Sequence, residues 1–205
     1  MKVAIIDYGA GNIGSIKNMI SRLSVESYLV QYPEDLLKAD KVILPGVGSF
    51  DHGMKMLQEK NLVNAITEYS MVLKKPILGI CLGAQLMMKK SEEGLLPGLS
   101  FFEGRVKHFS KLHTDSVLRI PHMGWNKVET IRPNALLENL PQPARFYFVH
   151  SYYLELKNTE EIMMTSVYGD TFTCAMYRDN IFAVQFHPEK SHKYGLKLMD
   201  NFLKI

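Results

Sequence analysis

The sequence predicts an α/β fold in which a mostly parallel central sheet is flanked by helices and extended by antiparallel strands in its second half. Three observations carry this. Short, unbroken apolar runs recur through the first half, as strands buried on both faces require. Apolar residues at helical spacing lie between those runs, and strands alternating with helices build a parallel sheet covered on both sides. Further along, the pattern changes to extended runs separated by turn residues such as Tyr168-Gly169-Asp170 and Arg178-Asp179-Asn180.

Val3-Ala4-Ile5-Ile6 is the first strand, broken by Gly9 and Gly11. Asn12 stands where a helix cap belongs, and Ile13, Ile16, Met19, Ile20 and Leu23 recur after it at helical spacing. Tyr28-Leu29-Val30 is a second strand. Pro33-Glu34-Asp35 opens a short helix, with proline and acids where an N-terminus favours them. Val42-Ile43-Leu44 is a third strand, ended by Pro45-Gly46, and a helical stretch covers 51–73. Pro76-Ile77-Leu78-Gly79-Ile80 is the fourth strand, followed by a helix over 84–90. Strands are then expected at 101–109, 125–130, 145–156, 162–168, 172–177 and 181–186, and Leu196, Met199 and Leu203 place a helix at the C-terminus. No repeat, low-complexity tract or linker interrupts residues 1–205, so one domain is expected.

Bulk properties exclude more than they identify. Of 205 residues, 46% are hydrophobic and 22% charged, enough to bury a core without disulfides. The net charge of +3 is small and scattered, which argues against a nucleic-acid partner. The apolar run at the N-terminus stops at Asp7, too short for a signal peptide or a membrane span. Two cysteines, Cys81 and Cys174, form neither a metal-binding nor a disulfide spacing. A cytoplasmic protein without membrane, metal or cofactor is the expectation.

Chemistry enters at Gly79-Ile80-Cys81-Leu82-Gly83, between a buried strand and a helix. This is the nucleophile-elbow pattern with cysteine in place of serine. A sharp strand-to-helix turn crowds the backbone, so flanking glycines avoid side-chain clashes. The nucleophile then projects over the C-terminal edge of the sheet, where open α/β sheets bind ligands. A helix N-terminus favours a thiolate, and its free N–H groups can hold an oxyanion. Cys174 lies inside a strand pattern and reads as core.

A thiol nucleophile needs a base, and the base needs a group to orient it. His187 ends the apolar run Phe182-Ala183-Val184-Gln185-Phe186 and is followed by Pro188 and Glu189. A carboxylate two residues beyond an imidazole can fold back to hold its tautomer. His150 is a second candidate, either as base or as a structural histidine near the site, and His122 could serve a binding loop. His52, His108, His113 and His192 have no local signal and read as surface. Pro45-Gly46-Val47-Gly48 follows the third strand, and its glycines would let a peptide aim its N–H at an oxyanion. Gly9-Ala10-Gly11-Asn12-Ile13-Gly14 matches a dinucleotide-binding fingerprint in form. The acid such a site needs at the end of the second strand is missing, since Val30, Gln31 and Tyr32 stand there. These glycines read as a tight turn.

Together these motifs resemble the class I, triad-type glutamine amidotransferases, and within that class the glutaminase subunits of imidazole glycerol phosphate synthase. The likeness spans nearly the whole chain. It includes Ile6-Asp7-Tyr8-Gly9 and Pro45-Gly46-Val47-Gly48, the elbow continued through Ala84-Gln85, and Tyr147-Phe148-Val149-His150-Ser151-Tyr152. Its specific strings are Pro121-His122-Met123-Gly124-Trp125-Asn126 and His187-Pro188-Glu189-Lys190-Ser191. The resemblance implies a flavodoxin-like fold and hydrolysis of L-glutamine through a cysteinyl thioester. It also implies a heterodimer with a (β/α)₈-barrel cyclase that receives the ammonia in histidine biosynthesis, and on which glutaminase activity depends. By position, Cys81 would be the nucleophile, His187 the base and Glu189 its orienter. Val47, Gly48 and Leu82 would be oxyanion donors, and Gly48, Gln85, Glu93, Ser151 and Tyr152 would line the glutamine pocket. Met123, Trp125, Asn126, Tyr147 and Lys190 would face the cyclase. Phe50-Asp51-His52-Gly53-Met54 and Ser191-His192-Lys193-Tyr194-Gly195 instead resemble paralogous subunits whose ammonia makes an amidino sugar for surface polysaccharide. A catalytically inactive homologue that only binds a partner is a further alternative, as is a cysteine peptidase on the same fold.

Overall fold

The computed structural model describes residues 1–112 and 118–205. In chain order its elements begin with β1 (Val3–Ile6), α1 (Ile13–Arg22), β2 (Ser27–Val30), α2 (Pro33–Leu36) and β3 (Lys41–Leu44). There follow α3 (Phe50–Glu59), α4 (Leu62–Thr67), β4 (Ile77–Ile80), α5 (Leu82–Leu86), β5 (Met88–Ser91) and β6 (Phe102–His108). The chain continues through β7 (His122–Thr130), β8 (Arg145–His150), β9 (Tyr152–Leu156), β10 (Ile162–Tyr168), β11 (Asp170–Arg178), β12 (Ile181–Val184) and α6 (His192–Lys204).

One sheet runs in the order β2-β1-β3-β4-β12-β11-β10-β7-β8. From β2 to β12 every neighbour is parallel, and beyond β12 every neighbour is antiparallel. β5, β6 and β9 form a side branch joined to β11 through β9. Alternate side chains of the parallel strands enter two cores. Val3, Ile5, Leu78 and Phe182 pack with α1 and α6, while Ala4, Ile6, Ile77 and Ala183 pack with α3, α4 and α5.

Four expectations change. The helix expected over 84–90 ends at Leu86, because residues 88–91 pair with β6 as strand β5. Long-range pairing overrides local propensity there. The run 145–156 is two strands: β8 pairs with β7 and β9 with β6, so the chain must break between them at Ser151. The helical stretch 51–73 is interrupted at Asn61, which takes a left-handed φ of 56°, and widens into a π turn over Glu68–Val72. Asn12 precedes α1 but makes no capping hydrogen bond.

Candidate active site

β3, β4 and β12 lie side by side and parallel, so their C-terminal ends share one edge of the sheet. Leu44 is level with Gly79, and Ile80 with Val184. The edge therefore delivers the Pro45–Gly48 loop, Cys81 and His187 together. The Cys81 N–H donates to the Val184 carbonyl at 2.8 Å, which extends the ladder to the turn itself. Cys81 then takes φ 54° and ψ −110°, a backbone conformation costing an L-residue about 1–3 kcal/mol. The turn tolerates no side chain behind it: a β-carbon at Gly83 would sit 1.9 Å from the Leu44 carbonyl oxygen. The glycines of the elbow are there for close approach, as the sequence implied.

His187 follows β12, and Pro188–Lys190 forms a single 3₁₀ turn that folds Glu189 back. Nδ1 of His187 lies 2.8 Å from Oε1 of Glu189, and both side chains are almost wholly buried. A carboxylate only accepts, so Nδ1 carries the hydrogen and Nε2 is left for Cys81. Nε2 makes no hydrogen bond of ordinary geometry. The turn is clamped by Ser191, whose hydroxyl donates to the His187 carbonyl at 2.6 Å and accepts the Tyr147 N–H at 3.0 Å. Asn12, read from sequence as a cap, instead donates from Nδ2 to Oε1 of Glu189 at 3.4 Å. Burial alone would push the imidazole toward neutrality. Hydrogen bonding and charge from Cys81 and Glu189 outweigh it and raise the pKa to about 10. His187 accordingly holds its proton at neutral pH.

A cleft of about 440 Å³ opens over Cys81 and His187. Val47, Gly48 and Leu82 border it, as do Gln85, Glu93, Ser151 and Tyr152. Glu93 is fixed by the Phe50 N–H, which donates to Oε2 at 2.8 Å, and its burial raises the carboxyl pKa. The loop is not arranged as an oxyanion site in this conformation. The Leu82 N–H donates to the Gly46 carbonyl at 3.3 Å, so a carbonyl stands where an anion would need donors. Gly48, at φ 104° with open space around it, leaves the adjoining peptides room to rotate.

His150 and His122 form a chain behind the cleft, and its hydrogens are determined from one end. The Tyr152 carbonyl accepts from Nδ1 of His150 at 2.6 Å. Nε2 of His150 therefore accepts from Nδ1 of His122 at 2.9 Å, and Nε2 of His122 accepts from the Asn126 amide at 3.2 Å. Burial lowers the pKa of His122 to about 4 and of His150 to about 3, so both rings are neutral. His150 is thus the structural histidine of the two readings its sequence position allowed. His122 begins strand β7 rather than lying in a binding loop.

Comparison with known proteins bears on this arrangement. The profile of the class-I glutamine amidotransferase family matches residues 4–205. The chain belongs to this family. It is similar to imidazole glycerol phosphate synthase subunit HisH 2 of Methanococcus maripaludis, 50% identical over 98% of both chains. It is also similar to subunit HisH 2 of Pseudomonas aeruginosa, 43% identical over 99% of both. Among solved structures, a glutamine amidotransferase superposes with a TM-score of 0.73 at 20% identity, over 98% of this chain and 97% of the other. PurLQS from Thermotoga maritima superposes with a TM-score of 0.70 at 17% identity, over 99% of this chain and 97% of that one. These two likenesses speak to the fold.

This class-I amidotransferase also carries an exposed aromatic face beside the cleft. Trp125 on β7 is level with Tyr147 on β8, and the Lys190 ammonium lies 5.7 Å from the centre of the Tyr147 ring. Met123, 61% exposed, shares the outer face of β7 with Trp125, 43% exposed. Asn126 lies on the other face, where it donates to His122 and to the Val167 carbonyl. His192, read as surface, is exposed and stacks on Trp125 at 5.6 Å. His108 is half-buried against Tyr152, His52 lies on the exposed side of α3, and His113 falls outside the described residues. Cys174 is fully buried, and burial raises its thiol pKa. Among the described residues no helix is long and apolar enough to cross a membrane, and no group of ligating side chains could hold a metal.

Two residues of the site escaped the sequence reading. Asn12 looked like a cap because the residue before an amphipathic helix usually is one. Gln185 looked like one more strand residue. The register of β12 against β4 sets it beside Cys81, a neighbour invisible in one dimension.

Proposed function

We propose that this chain is the glutaminase subunit of an imidazole glycerol phosphate synthase. It hydrolyses L-glutamine to glutamate and ammonia and passes the ammonia to a (β/α)₈-barrel cyclase partner for histidine biosynthesis. The observation that carries the reading is the buried His187–Glu189 pair, 2.8 Å apart, set at the same sheet edge as the strained Cys81. The names of the relatives at 50% and 43% identity support the pathway.

The chemistry follows from the protonation state. Cys81, as thiolate, attacks the side-chain carbonyl of glutamine, and the carbonyl oxygen becomes an oxyanion. Protonated His187 gives its proton to the amide nitrogen, the C–N bond breaks, and ammonia leaves behind a thioester. His187, now neutral, takes a proton from water, whose oxygen attacks the thioester. Collapse releases glutamate and returns Cys81 to thiolate and His187 to its protonated form. Glu189 keeps the imidazole in the one tautomer that serves both steps.

Dependence on the partner has a physical basis in the loop. While the Gly46 carbonyl accepts the Leu82 N–H, the oxyanion finds no donor there. Rotating the Gly46–Val47 peptide would free the Leu82 N–H and turn that of Val47 into the site. One missing oxyanion donor costs roughly 2.7–4 kcal/mol, or 10²–10³ in rate. Cys81→Ala is expected to abolish glutamate release in the presence of the cyclase while leaving the complex intact on gel filtration. Glutamate release persisting in that variant would refute the mechanism.

A second reading sends the ammonia to a sugar-modifying synthetase. It is favoured by His192, part of a stretch resembling those paralogues, which stacks on Trp125 at the expected docking face. The gene should restore growth without histidine to a strain lacking this subunit. Failure despite a soluble complex with that strain's cyclase would select the sugar pathway.

A further inference from the structure

We infer that Gln185 is a catalytic residue of this site: its carboxamide N–H donates to the Cys81 sulfur and stabilises the thiolate, while Gln85 holds the carboxamide in that orientation. The inference rests on Cys81 being the nucleophile.

The placement comes from the sheet. Val184 is level with Ile80, so the next residues along the two parallel strands, Gln185 and Cys81, are neighbours. The Gln185 N–H donates to the Cys174 carbonyl at 2.8 Å, which keeps the backbone in the ladder at this point. The side chain is fully buried, and its Nε2 lies 3.7 Å from Sγ of Cys81, within reach of a hydrogen bond to sulfur. Its Oε1 accepts from Nε2 of Gln85 at 3.0 Å. An anionic sulfur only accepts, so the carboxamide must present its nitrogen to it. In the arrangement the structure shows, the Gln85 N–H on the far side meets the carboxamide oxygen, which agrees with that choice.

A fully buried carboxamide between Val184 and Phe186, both also buried, needs hydrogen-bond partners. Cys81 is itself only 7% exposed, and burial without donors disfavours a charged sulfur. The ionisable groups facing it are His187, backed by Glu189, and Tyr8. His187 gives up its proton during the reaction, at which point Gln185 is the donor that stays. The sulfur is the nucleophile in the first half of the reaction and the leaving group in the second, so a fixed N–H aids both.

The test reads the sulfur directly. Alkylation of Cys81 by iodoacetamide is followed against pH by peptide mass spectrometry on the full chain, which separates it from buried Cys174. Gln185→Met keeps the volume and removes the N–H; Gln185→Glu keeps the shape and faces the sulfur with a carboxylate. The alkylation midpoint is expected to rise by about one pH unit in the first and further in the second, slowing alkylation roughly tenfold at pH values below the parent's midpoint. With the partner present, kcat should fall roughly tenfold while KM for glutamine changes less than about threefold. Should Gln185→Met not fold, Gln185→Glu carries the same test. Gln85→Ala, which lets the carboxamide turn, should give a smaller shift of the same sign. An unmoved midpoint in a folded Gln185 variant overturns the inference. Alkylation requires no turnover, so a chain that shows the shift but hydrolyses no glutamine would count against the proposed function alone.

Discussion

His187 and Glu189 are each held by a neighbour outside the proposed triad, Ser191 and Asn12 respectively. Asn12 is the most instructive. A capping asparagine replaced by alanine loses typically about 1 kcal/mol of stability. Here the side chain caps nothing and donates to Glu189. Asn12→Ala is therefore expected to change stability by less than about 0.5 kcal/mol, measured by urea unfolding, while lowering kcat several-fold. The opposite result, a large stability loss with normal turnover, would restore the role its sequence position suggested. The neutral histidines offer a second residue-scale expectation. His122 and His150 titrate at about 4 and 3 in the fold, below the 6.5 of a free imidazole. The unfolded chain then binds more protons than the fold over that interval. Their contribution is fully present above pH 6.5 and is lost as the pH falls toward 4, by up to about 1.4 kcal/mol per pH unit for each ring. Thermal unfolding followed from pH 7 to 4.5 should show a shallower decline in His150→Gln than in the parent chain.

At the scale of elements, the β4–α5 junction decides where Cys81, the proposed nucleophile, stands. Its geometry requires the first turn of α5 to press against the end of β3, with Gly83 over the Leu44 carbonyl. A methyl group at that point cannot be relieved by a rotamer change, since it meets backbone. Gly83→Ala is expected to cost more than about 2 kcal/mol in unfolding free energy, or to displace the loop at Gly46 and lose glutaminase activity. Unchanged urea midpoint and activity would mean the turn is looser than described. The element pattern also shows where sequence reasoning reached and where it stopped. The four apolar runs of the first half became four parallel strands: β1, β3 and β4 are buried on both faces, which calls for unbroken apolar runs, while β2 is the edge strand and leaves Leu29 exposed. Residues 88–91 did not follow their local pattern, since the partner that makes them a strand lies at 102–106. The break at Ser151 was equally hidden, as two strands with different partners read as one run when only their composition is visible.

At the scale of the whole molecule, the cleft and the aromatic face are joined through β7 and β8. The His122–His150 chain runs from Asn126 to the Tyr152 carbonyl at the cleft, and Trp125 and Tyr147 stand on the outer surface of the same two strands. A large exposed aromatic flanked by Arg145, 5.6 Å from its ring, has the make-up of an interface anchor. Trp125→Ala is expected to weaken binding of the proposed cyclase partner by about 2 kcal/mol or more, roughly thirtyfold in Kd by titration calorimetry. The fold should be unaffected, because the indole is partly exposed in the free chain. Binding at parent affinity would move the docking face elsewhere.

Local sequence was enough to single out Cys81, His187 and Glu189, the proposed nucleophile, base and orienting acid. Each sits in a pattern whose cause is local: glycines around a tight turn, a histidine at a strand end, a carboxylate two residues on. The buried runs specified the parallel half of the sheet in the same way. It took the folded chain to bring these three positions to one edge, through the adjacency of β4 and β12, strands about a hundred residues apart. The same adjacency set Gln185 beside Cys81, and the folding of α1 against the 3₁₀ turn after β12 gave Asn12 to Glu189. The physical reason is common to all of them. A turn or a buried strand is specified by the residues that form it, whereas a neighbour across the sheet is specified by register, which belongs to the packed whole.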